Sequence, residues 1–257
     1  MDLEKIVVVD NLVKIYPGGV RALDGLTFHV EKNEIYGLIG PNGAGKTTTL
    51  RIISTLLKPT SGRVLVVGYD VVREPAMVRR NITYLPEEAG AYRDLTGIEF
   101  LRTMLSLRFK GRELEEVVEE AAKISGLGKS LYRRVRTYSK GMKRSLLLAL
   151  ALAPKPKLAI LDEPTSGLDV ARSIELRNII RRYRDNYGVT ILLSSHNMLE
   201  VEYLCDRVGI IYRGKIIAEG APEELKERYA AKNLEEVFLK ALEEHGYSFK
   251  VEEPVRW

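Results

Sequence analysis

The stretch "GPNGAGKTT", from Gly40 to Thr48, constrains this chain more than any other part of its sequence. It fits the pattern G-x-x-x-x-G-K-[ST], in which glycines let backbone N–H groups surround a phosphate. The run "EIYGLI" before it is typical of a buried parallel strand, and "KTTTLRIISTLLK" after it is typical of a helix. A dinucleotide-binding turn needs G-x-G-x-x-G without the Lys-Thr pair, so that interpretation is excluded. The sequence therefore predicts a strand, a phosphate-binding loop and a helix in succession.

The loop supplies both a cation and a metal ligand. Lys46 is expected to reach the β- and γ-phosphate oxygens as a positive charge, and the Thr47 hydroxyl to ligate Mg²⁺. ATP and Mg²⁺ are therefore the expected cofactors. The loop residues expected to bind ATP are Gly40, Pro41, Asn42, Gly43, Ala44, Gly45, Lys46, Thr47 and Thr48.

Two further apolar runs end in residues that can do chemistry. In "LAILDEP" a buried strand ends at Asp162, which is expected to hold Mg²⁺ beside Thr47, and Glu163 follows as a candidate to orient or activate the attacking water. The run "VTILLSSH" ends in His196. A lone histidine is more often structural, but this one lies at the sheet edge where ligands bind, which makes it a candidate.

A weaker anion site is indicated by "YSKGMKRSLLLALAL". Ser139 can cap a helix there, Gly141 lets a ligand approach the backbone, and an apolar run follows. A chain with one strong phosphate loop has no evident need of a second site of this kind.

Composition limits the classes of protein that the chain can belong to. The net charge is +5, with basic clusters at 132–136 and 181–184 that a solvated helix face explains better than nucleic acid or anionic lipid. The longest apolar stretch, 146–153, is far shorter than the roughly 20 residues of a membrane span, and no signal peptide is visible, so we expect a soluble chain.

Two residue types are informative by their scarcity. Cys205, the one cysteine, is interpreted as a small side chain that fills the core. The chain contains no glutamine, and this resembles the composition of hyperthermophile proteins.

The remaining pattern predicts an α/β core with a helical insertion. "KIVVVDNLVKIY", "LTFHV" and "RVLVVGYDV" are typical of strands, His29 is interpreted as structural, and residues 99–153 are mostly helical by pattern. "RVGIIYRGKIIAEG" predicts a hairpin around Arg213–Gly214, and "NLEEVFLKALEE" a short docked helix capped by Asn233. "SFKVEEPVRW" has no clear pattern. We expect a domain at 1–220, with the helical insertion at about 87–153, and a helical tail at 221–257.

These elements together resemble the nucleotide-binding subunit of an ABC transporter. The resemblance runs in order through Tyr16, "GPNGAGKTT", "YLPEE", "YSKGM", "LAILDEP", "SGLD" and "SSHN", over roughly residues 4 to 220. The variants "YLPEE", "YSKGM" and "NLEEVFLKAL" are most similar to the single-cassette ATPases of ABC-2-type exporters. The resemblance implies a P-loop NTPase core with a mixed, largely parallel sheet, an N-terminal antiparallel β subdomain and an inserted α-helical subdomain.

The resemblance also implies roles for particular residues. Tyr16 would stack on adenine with Val20 beneath it, Glu163 would be the catalytic carboxylate, and His196 would sense the γ-phosphate. Two subunits would stack head to tail, so that each covers the γ-phosphate held by the other. The residues that would act across this dimer are Ser139, Lys140, Gly141, Met142 and Asp169; Asp169 can also be a plain helix cap.

Three positions depart from the family pattern. Glu87 stands where glutamine is usual, and as a carboxylate it can contact Mg²⁺ more strongly, either through compositional drift or as a means of tuning hydrolysis. Lys140 and Met142 replace a glycine and a glutamine. Lys140 is expected to point into solvent, the alternative being a cation near the partner's γ-phosphate.

The expected partners are a second nucleotide-binding subunit, in a homodimer or heterodimer, and an integral membrane permease that docks near "AGAYRDLTGIEFLRTM". This arrangement would hold the chain at the cytoplasmic face of the membrane, and export is favoured over import. The alternative is an ABC-type ATPase that acts on nucleic acid or ribosomes. Only 93 residues (139 − 46) separate Lys46 from Ser139, which excludes a long coiled-coil insertion, and no nucleic-acid partner is expected.

Overall fold

The computed structural model describes residues 4–247, so the patternless stretch at 248–257 lies outside the described residues. Within residues 4–247 the strands form a four-stranded antiparallel sheet, ordered β2-β1-β4-β5, and a six-stranded sheet, ordered β10-β9-β3-β8-β7-β6. The strands are β1 (Lys5–Ile15), β2 (Arg21–Glu31), β3 (Ile35–Ile39), β4 (Ser61–Val66), β5 (Tyr69–Asp70), β6 (Ile82–Leu85), β7 (Leu158–Asp162), β8 (Thr190–Ser195), β9 (Arg207–Tyr212) and β10 (Lys215–Gly220).

The six-stranded sheet is parallel from β9 through β6, and only β10 runs antiparallel. Its central strands are buried on both faces, as their unbroken apolar runs predict. Alternate residues enter different cores: Tyr36 and Leu38 pack toward the antiparallel sheet, whereas Ile35 and Ile39 pack toward the helices on the other face. The sheet is therefore the middle layer of the fold.

The helices in residues 4–247 follow the same layering. Helix α1 contacts β2, β4, β7 and β8, and so lies between the two sheets, while α3, α4 and α5 pack against one another on the other side. The helices are α1 (Lys46–Ile53), α2 (Pro75–Asn81), α3 (Gly97–Leu105), α4 (Gly111–Ser125), α5 (Lys140–Leu152), α6 (Val170–Tyr187), α7 (Met198–Glu202), α8 (Pro222–Arg228) and α9 (Leu234–Glu244), with 3₁₀ turns at Gly128–Tyr132 and Val135–Thr137. None of these helices is long and apolar enough to cross a bilayer.

Local sequence signals explain where the helices begin and end. Thr96 and Glu99 form a reciprocal capping box at the start of α3. Helices α4 and α6 end at Gly126 and Gly188, which adopt the left-handed conformation that glycine tolerates. Asn233 caps α9 by accepting from Glu236 N at 2.9 Å, so the predicted docked helix at the C-terminal side is confirmed.

The hairpin between β9 and β10 joins the two sheets to the phosphate loop. At its tip, Gly214 donates from its backbone nitrogen to Ala44 O at 2.9 Å and accepts from Asp24 N at 3.0 Å. Gly214 has φ +76°, and a Cβ there would lie 2.7 Å from Ala22 O. The hairpin therefore positions the loop, and only glycine fits at its tip.

Cys205 and His29 have the structural places that the sequence predicts. Cys205 is buried, and burial raises the pKa of its thiol well above its ordinary value. It fills the space beside Gly37, where a Cβ would lie 2.8 Å from Cys205 Sγ. His29 lies within β2, with its Nε2 3.7 Å from a Glu31 carboxylate oxygen.

Several predicted boundaries are wrong for identifiable reasons. Helix α1 ends at Ile53 and does not continue to Lys58, because Thr55 takes a left-handed φ of +66°, which a right-handed helix cannot contain. The predicted strand "RVLVVGYDV" is split into β4 and β5 by a turn at Val67 and Gly68, both with positive φ. The sequence interpretation also missed α2, α7 and the edge strand β6, whereas α8 lies within the predicted helical tail.

The crowding at Gly214 predicts a measurable cost. Gly214→Ala should lower the free energy of unfolding by about 3 kcal/mol, because the added methyl combines a left-handed backbone with overpacking. Gly68→Ala is the matched control: Gly68 has φ +82° but open space around a Cβ, so only the backbone cost of about 1 kcal/mol applies. Equal losses for the two variants, measured by denaturant unfolding, would contradict the close approach at Gly214.

Candidate active site

The phosphate loop lies between the carboxyl end of β3 and the start of α1. Gly45 occupies the N-cap position with φ +113°, and no side chain in residues 4–247 caps this helix start. A Cβ at Gly45 would lie 2.8 Å from Ala22 O, and one at Gly40 would lie 2.2 Å from Ile211 O. The loop is therefore held against two neighbouring strands, and the N–H groups at the helix start remain available to an anion.

Lys46 is a buried cation at the centre of this loop. Its Nζ donates to Gly40 O at 2.7 Å and to Pro41 O at 3.2 Å, and it lies 3.7 Å from Glu163 Oε1. Burial lowers the pKa of the ammonium, and the nearby carboxylates of Glu163 and Asp162 oppose that shift. The group is thus close to negative charge while its hydrogen bonds go to neutral carbonyl oxygens.

Asp162 collects hydroxyl donors from three elements. Its Oδ1 accepts from Ser194 Oγ at 2.5 Å and from Thr47 Oγ1 at 3.3 Å, and its Oδ2 accepts from Tyr84 OH at 3.3 Å. Burial, together with the charge of Asp162, raises the pKa of Tyr84 to about 12, so the phenol stays protonated as a donor. The predicted pairing of Thr47 with Asp162 is present.

The oxygen atoms at this point fit Mg²⁺. A hydroxyl and a carboxylate are hard ligands that this ion prefers, and Glu87 lines the same cleft. Within residues 4–247 no group of three or more His, Cys, Asp or Glu side chains is arranged to hold a metal. An ion bound here would therefore take further ligands from water and from nucleotide phosphates, as Mg²⁺ commonly does.

Glu163 and His196 form a close pair at the ends of neighbouring strands. Glu163 Oε2 lies 2.8 Å from His196 Nδ1, and the Glu163 side chain is only 6% exposed whereas His196 is 49% exposed. Glu163 adopts a left-handed φ of +49°, which is uncommon for a residue other than glycine. Its backbone nitrogen donates to Ser194 O at 3.2 Å and to Ser194 Oγ at 3.1 Å, which holds the turn.

One cleft of about 260 Å³ contains most of the predicted ATP-binding residues. Tyr16 lies at its side, with its OH 3.2 Å from Thr48 Oγ1, and Val20 is 64% exposed at its edge. The lining residues are Tyr16, Val20, Ala22, Pro41, Asn42, Gly43, Gly45, Lys46, Thr47, Thr48, Glu87 and Glu163.

The residues of the weaker anion site lie in a separate cleft of about 510 Å³. Ser139 and Asp169 each cap a helix there: Ser139 Oγ accepts from Met142 N at 3.2 Å, and Asp169 Oδ1 from Arg172 N at 2.9 Å. The cleft shares no lining residue with the phosphate-loop cleft. It is lined by Gly126, Leu127, Ser130, Ser139, Lys140, Gly141, Met142, Gly167, Leu168, Asp169 and Arg172. One chain therefore carries two separate clefts.

Lys140 is exposed, but its ammonium rests against the backbone of the loop before α6. A Cβ on Gly167 would lie 2.1 Å from Lys140 Nζ. Lys140 therefore lines the second cleft while remaining exposed, and its expected direction into solvent stays a prediction.

Sequence reasoning missed three residues that shape the site. Ser194 and Tyr84 bind the Asp162 carboxylate, and Arg144, buried in α5, binds backbone carbonyls around Asp162 and Glu163. The one signal in the sequence was an arginine inside the run "KRSLLLALAL", at a position that a helix turns inward.

A family model described as ABC transporter matches residues 23–166 of the chain. The chain belongs to the ABC transporter family. The predicted ABC ATPase fold is likewise confirmed, by a solved structure described as the ATP-binding subunit of an ABC transporter. That structure has a TM-score of 0.81 and 29% identity, over 92% of this chain and 99% of the other. The subunit cbiO1 from Clostridium perfringens is also similar, with a TM-score of 0.78 and 28% identity over 89% of this chain and 92% of its own.

Relatives of this ABC family member include ATP-binding proteins of bacteria. The chain is 42% identical to the daunorubicin/doxorubicin resistance ATP-binding protein DrrA of Streptomyces peucetius, over 84% of this chain and 65% of DrrA. It is 39% identical to the ABC transporter ATP-binding protein NatA of Bacillus subtilis, over 87% of this chain and 91% of NatA. By contrast, it spans only 24% of ABC transporter A family member 7 of Arabidopsis thaliana.

Proposed function

We propose that this chain is the ATP-binding and ATP-hydrolysing subunit of a membrane transporter. The observation that carries the proposal is the convergence of Lys46, Asp162, Glu163 and His196 at the end of one parallel sheet. The named relatives support transport, since one is a drug-resistance ATP-binding protein and another, from Bacillus licheniformis, a bacitracin transport ATP-binding protein. These names favour export.

The geometry suggests how the residues would act on ATP. The N–H groups at the start of α1 and the Lys46 ammonium would hold the β- and γ-phosphates. Glu163, fixed by its turn, would accept a hydrogen bond from the attacking water, and His196 would hold Glu163 and contact the γ-phosphate. Thr47 and Asp162, with Glu87 nearby, would hold Mg²⁺, which neutralises charge on the phosphates.

The separation of the two clefts supports action as a pair. Ser139, Lys140 and Gly141 line a cleft that shares no residue with the cleft of the chain's own phosphate loop. In a head-to-tail pair they would cover the γ-phosphate bound to the other subunit, and Asp169 would lie near the junction. ATP would then favour the closed pair, because it contacts both surfaces only in that state. Either a homodimer or a heterodimer satisfies this geometry.

The membrane partner would dock on an apolar groove beside β6. A groove of about 490 Å³ is lined by Tyr84, Leu85, Pro86, Tyr92, Phe100 and Met104, together with residues of α5. We propose that a cytoplasmic helix of an integral membrane permease fills this groove and holds the chain at the cytoplasmic face of the membrane.

Glu163→Gln tests the catalytic part of the proposal. Because the amide cannot accept a proton, turnover should fall by about 100-fold or more, while ATP binding is retained and the ATP-bound pair accumulates. Phosphate release and size-exclusion chromatography with ATP and Mg²⁺ measure both effects. Glu227→Gln, an exposed change on α8, is the control and should match the parent. Parental turnover in Glu163→Gln would remove Glu163 from the role.

Glu87→Gln tests whether the carboxylate at this position tunes metal use. Loss of one charge near the metal should raise the Mg²⁺ concentration for half-maximal turnover by roughly fivefold, from about 1 kcal/mol of Coulomb attraction. ATP affinity should be preserved. The neighbouring Glu88→Gln serves as the matched control, and superimposable Mg²⁺ titrations for Glu87→Gln and the parent would refute tuning.

The groove is tested by recovery of partners from native membranes. Tagged Glu163→Gln protein trapped with ATP and Mg²⁺ should recover one polytopic membrane protein. Adding Met104→Glu should abolish that recovery, because a carboxylate cannot be desolvated in an apolar groove. Adding Leu107→Glu, at a side chain 81% exposed just beyond α3, should not. Recovery of ribosomal or nucleic-acid partners without a membrane protein would instead support the alternative class of ABC ATPase.

A further inference from the structure

Arg144 is a buried cation with an unusual set of partners. Its five N–H donors go to five backbone carbonyls: Nε to Pro164 O, Nη1 to Pro86 O and Glu87 O, and Nη2 to Asp162 O and Glu163 O, at 2.6 to 3.2 Å. A guanidinium has no further donor to give. No described residue forms an ion pair with it through a carboxylate oxygen, so its bonds are all to the main chain.

These carbonyls belong to two separate segments of the chain. One is the end of β7 and the loop after it, which carry Asp162 and Glu163 respectively. The other is the segment after β6, which carries Glu87 and continues into the apolar groove through Pro86 and Glu88. Arg144 itself lies on α5, whose first turn, from Ser139, lines the second cleft. One side chain thus joins three functional elements.

The contacts at Glu163 bear on its conformation. The carbonyl that Arg144 Nη2 holds at 2.7 Å belongs to Glu163 itself, the residue with the left-handed φ. Donors to Asp162 O and Pro164 O fix the peptides on either side. Because the direction of the Glu163 side chain follows from this turn, the turn decides whether its carboxylate meets His196.

Burial lowers the pKa of Arg144, while the nearby carboxylates of Asp162, Glu87 and Glu163 favour its charged form. Carbonyl dipoles and this surrounding negative charge therefore offset the cost of placing a cation inside the protein. The five carbonyl oxygens are arranged to fit a planar group that carries donors on three sides, as a guanidinium does.

We propose that Arg144 is a positioning residue for hydrolysis: it holds the turn at Glu163 and ties that turn to the Glu87 segment and to α5. The inference rests on the proposed ATPase function. It assigns no contact with ATP to Arg144. The residue acts through the backbone at Glu163, so its loss should slow the hydrolytic step and leave nucleotide binding intact.

Arg144→Lys is the variant that tests this inference. It keeps the charge and most of the stem, but a single ammonium nitrogen cannot reach both segments at once. At a temperature where thermal melting shows the variant folded, kcat should fall by about 20-fold or more while the Kd for ATP stays within about threefold. Arg108→Lys is the matched control: Arg108 also donates to backbone carbonyls, those of Arg80 and Ile82, but outside the catalytic turn. It should keep the parental kcat.

A second readout separates positioning from simple support of the fold. Single-turnover hydrolysis is measured for Arg144→Lys, Glu163→Gln and the double variant. If Arg144 acts through Glu163, the double variant should be only slightly slower than Glu163→Gln alone, because the two losses share one cause. Independent losses would multiply. If Arg144 only supported the fold, kcat and the fraction of protein that binds ATP would fall together, in proportion to the fraction of protein that is folded.

The outcomes distinguish this inference from the proposed function. If the parent protein hydrolyses ATP and folded Arg144→Lys does so at the same rate, the inference is wrong and the ATPase stands. Multiplicative losses in the double variant would also overturn it. If the parent fails to hydrolyse ATP under any Mg²⁺ concentration, the proposed function itself fails first.

Discussion

The arrangement of this protein depends on buried opposite charges that lie close together at the end of one parallel sheet. Lys46 Nζ lies 3.7 Å from Glu163, yet its hydrogen bonds go to carbonyls of the loop. Asp162 lies against the same loop but is held by hydroxyls. Neutral dipoles thus supply hydrogen bonds to Lys46 and Asp162 and hold both charges in place.

The sheet makes this possible because parallel strands end at one edge. Strands β3, β7 and β8 deliver the phosphate loop, Asp162 with Glu163, and His196 to the same place. The antiparallel sheet and the β9–β10 hairpin pack against the phosphate loop through Ala22 and Gly214. Apolar packing on both faces of β3 holds the sheet in place. The polar residues of the site follow directly at the carboxyl ends of its strands.

Much of this site could be predicted from the sequence because its signals are local. The Lys-Thr loop, the acids after "LAIL" and His196 after "LLSS" each follow an unbroken apolar strand. Arg144 could not be predicted in the same way, since its partners lie about 20 and about 57 residues away and are backbone atoms that any sequence would supply. The early end of α1 at Ile53 was hidden for a similar reason: a β-branched residue such as Thr55 disfavours a positive φ, so tertiary packing decides the turn that follows the helix. Strand β6 was missed because four partly polar residues at a sheet edge carry little pattern.

At Glu163 the left-handed backbone favours one set of residues, and the contact with His196 requires a longer side chain. A backbone with φ +49° is most comfortable with glycine, asparagine or aspartate. Those side chains are shorter than glutamate by at least one methylene and would not reach His196 from the same main chain. A laboratory selection for heat resistance alone would therefore favour the shorter residues at this position and discard the contact with His196. Glutamate at this turn therefore accepts a strained backbone in exchange for a side chain long enough to contact His196. A substitution that relieved the strain would stabilise the fold and lose this contact.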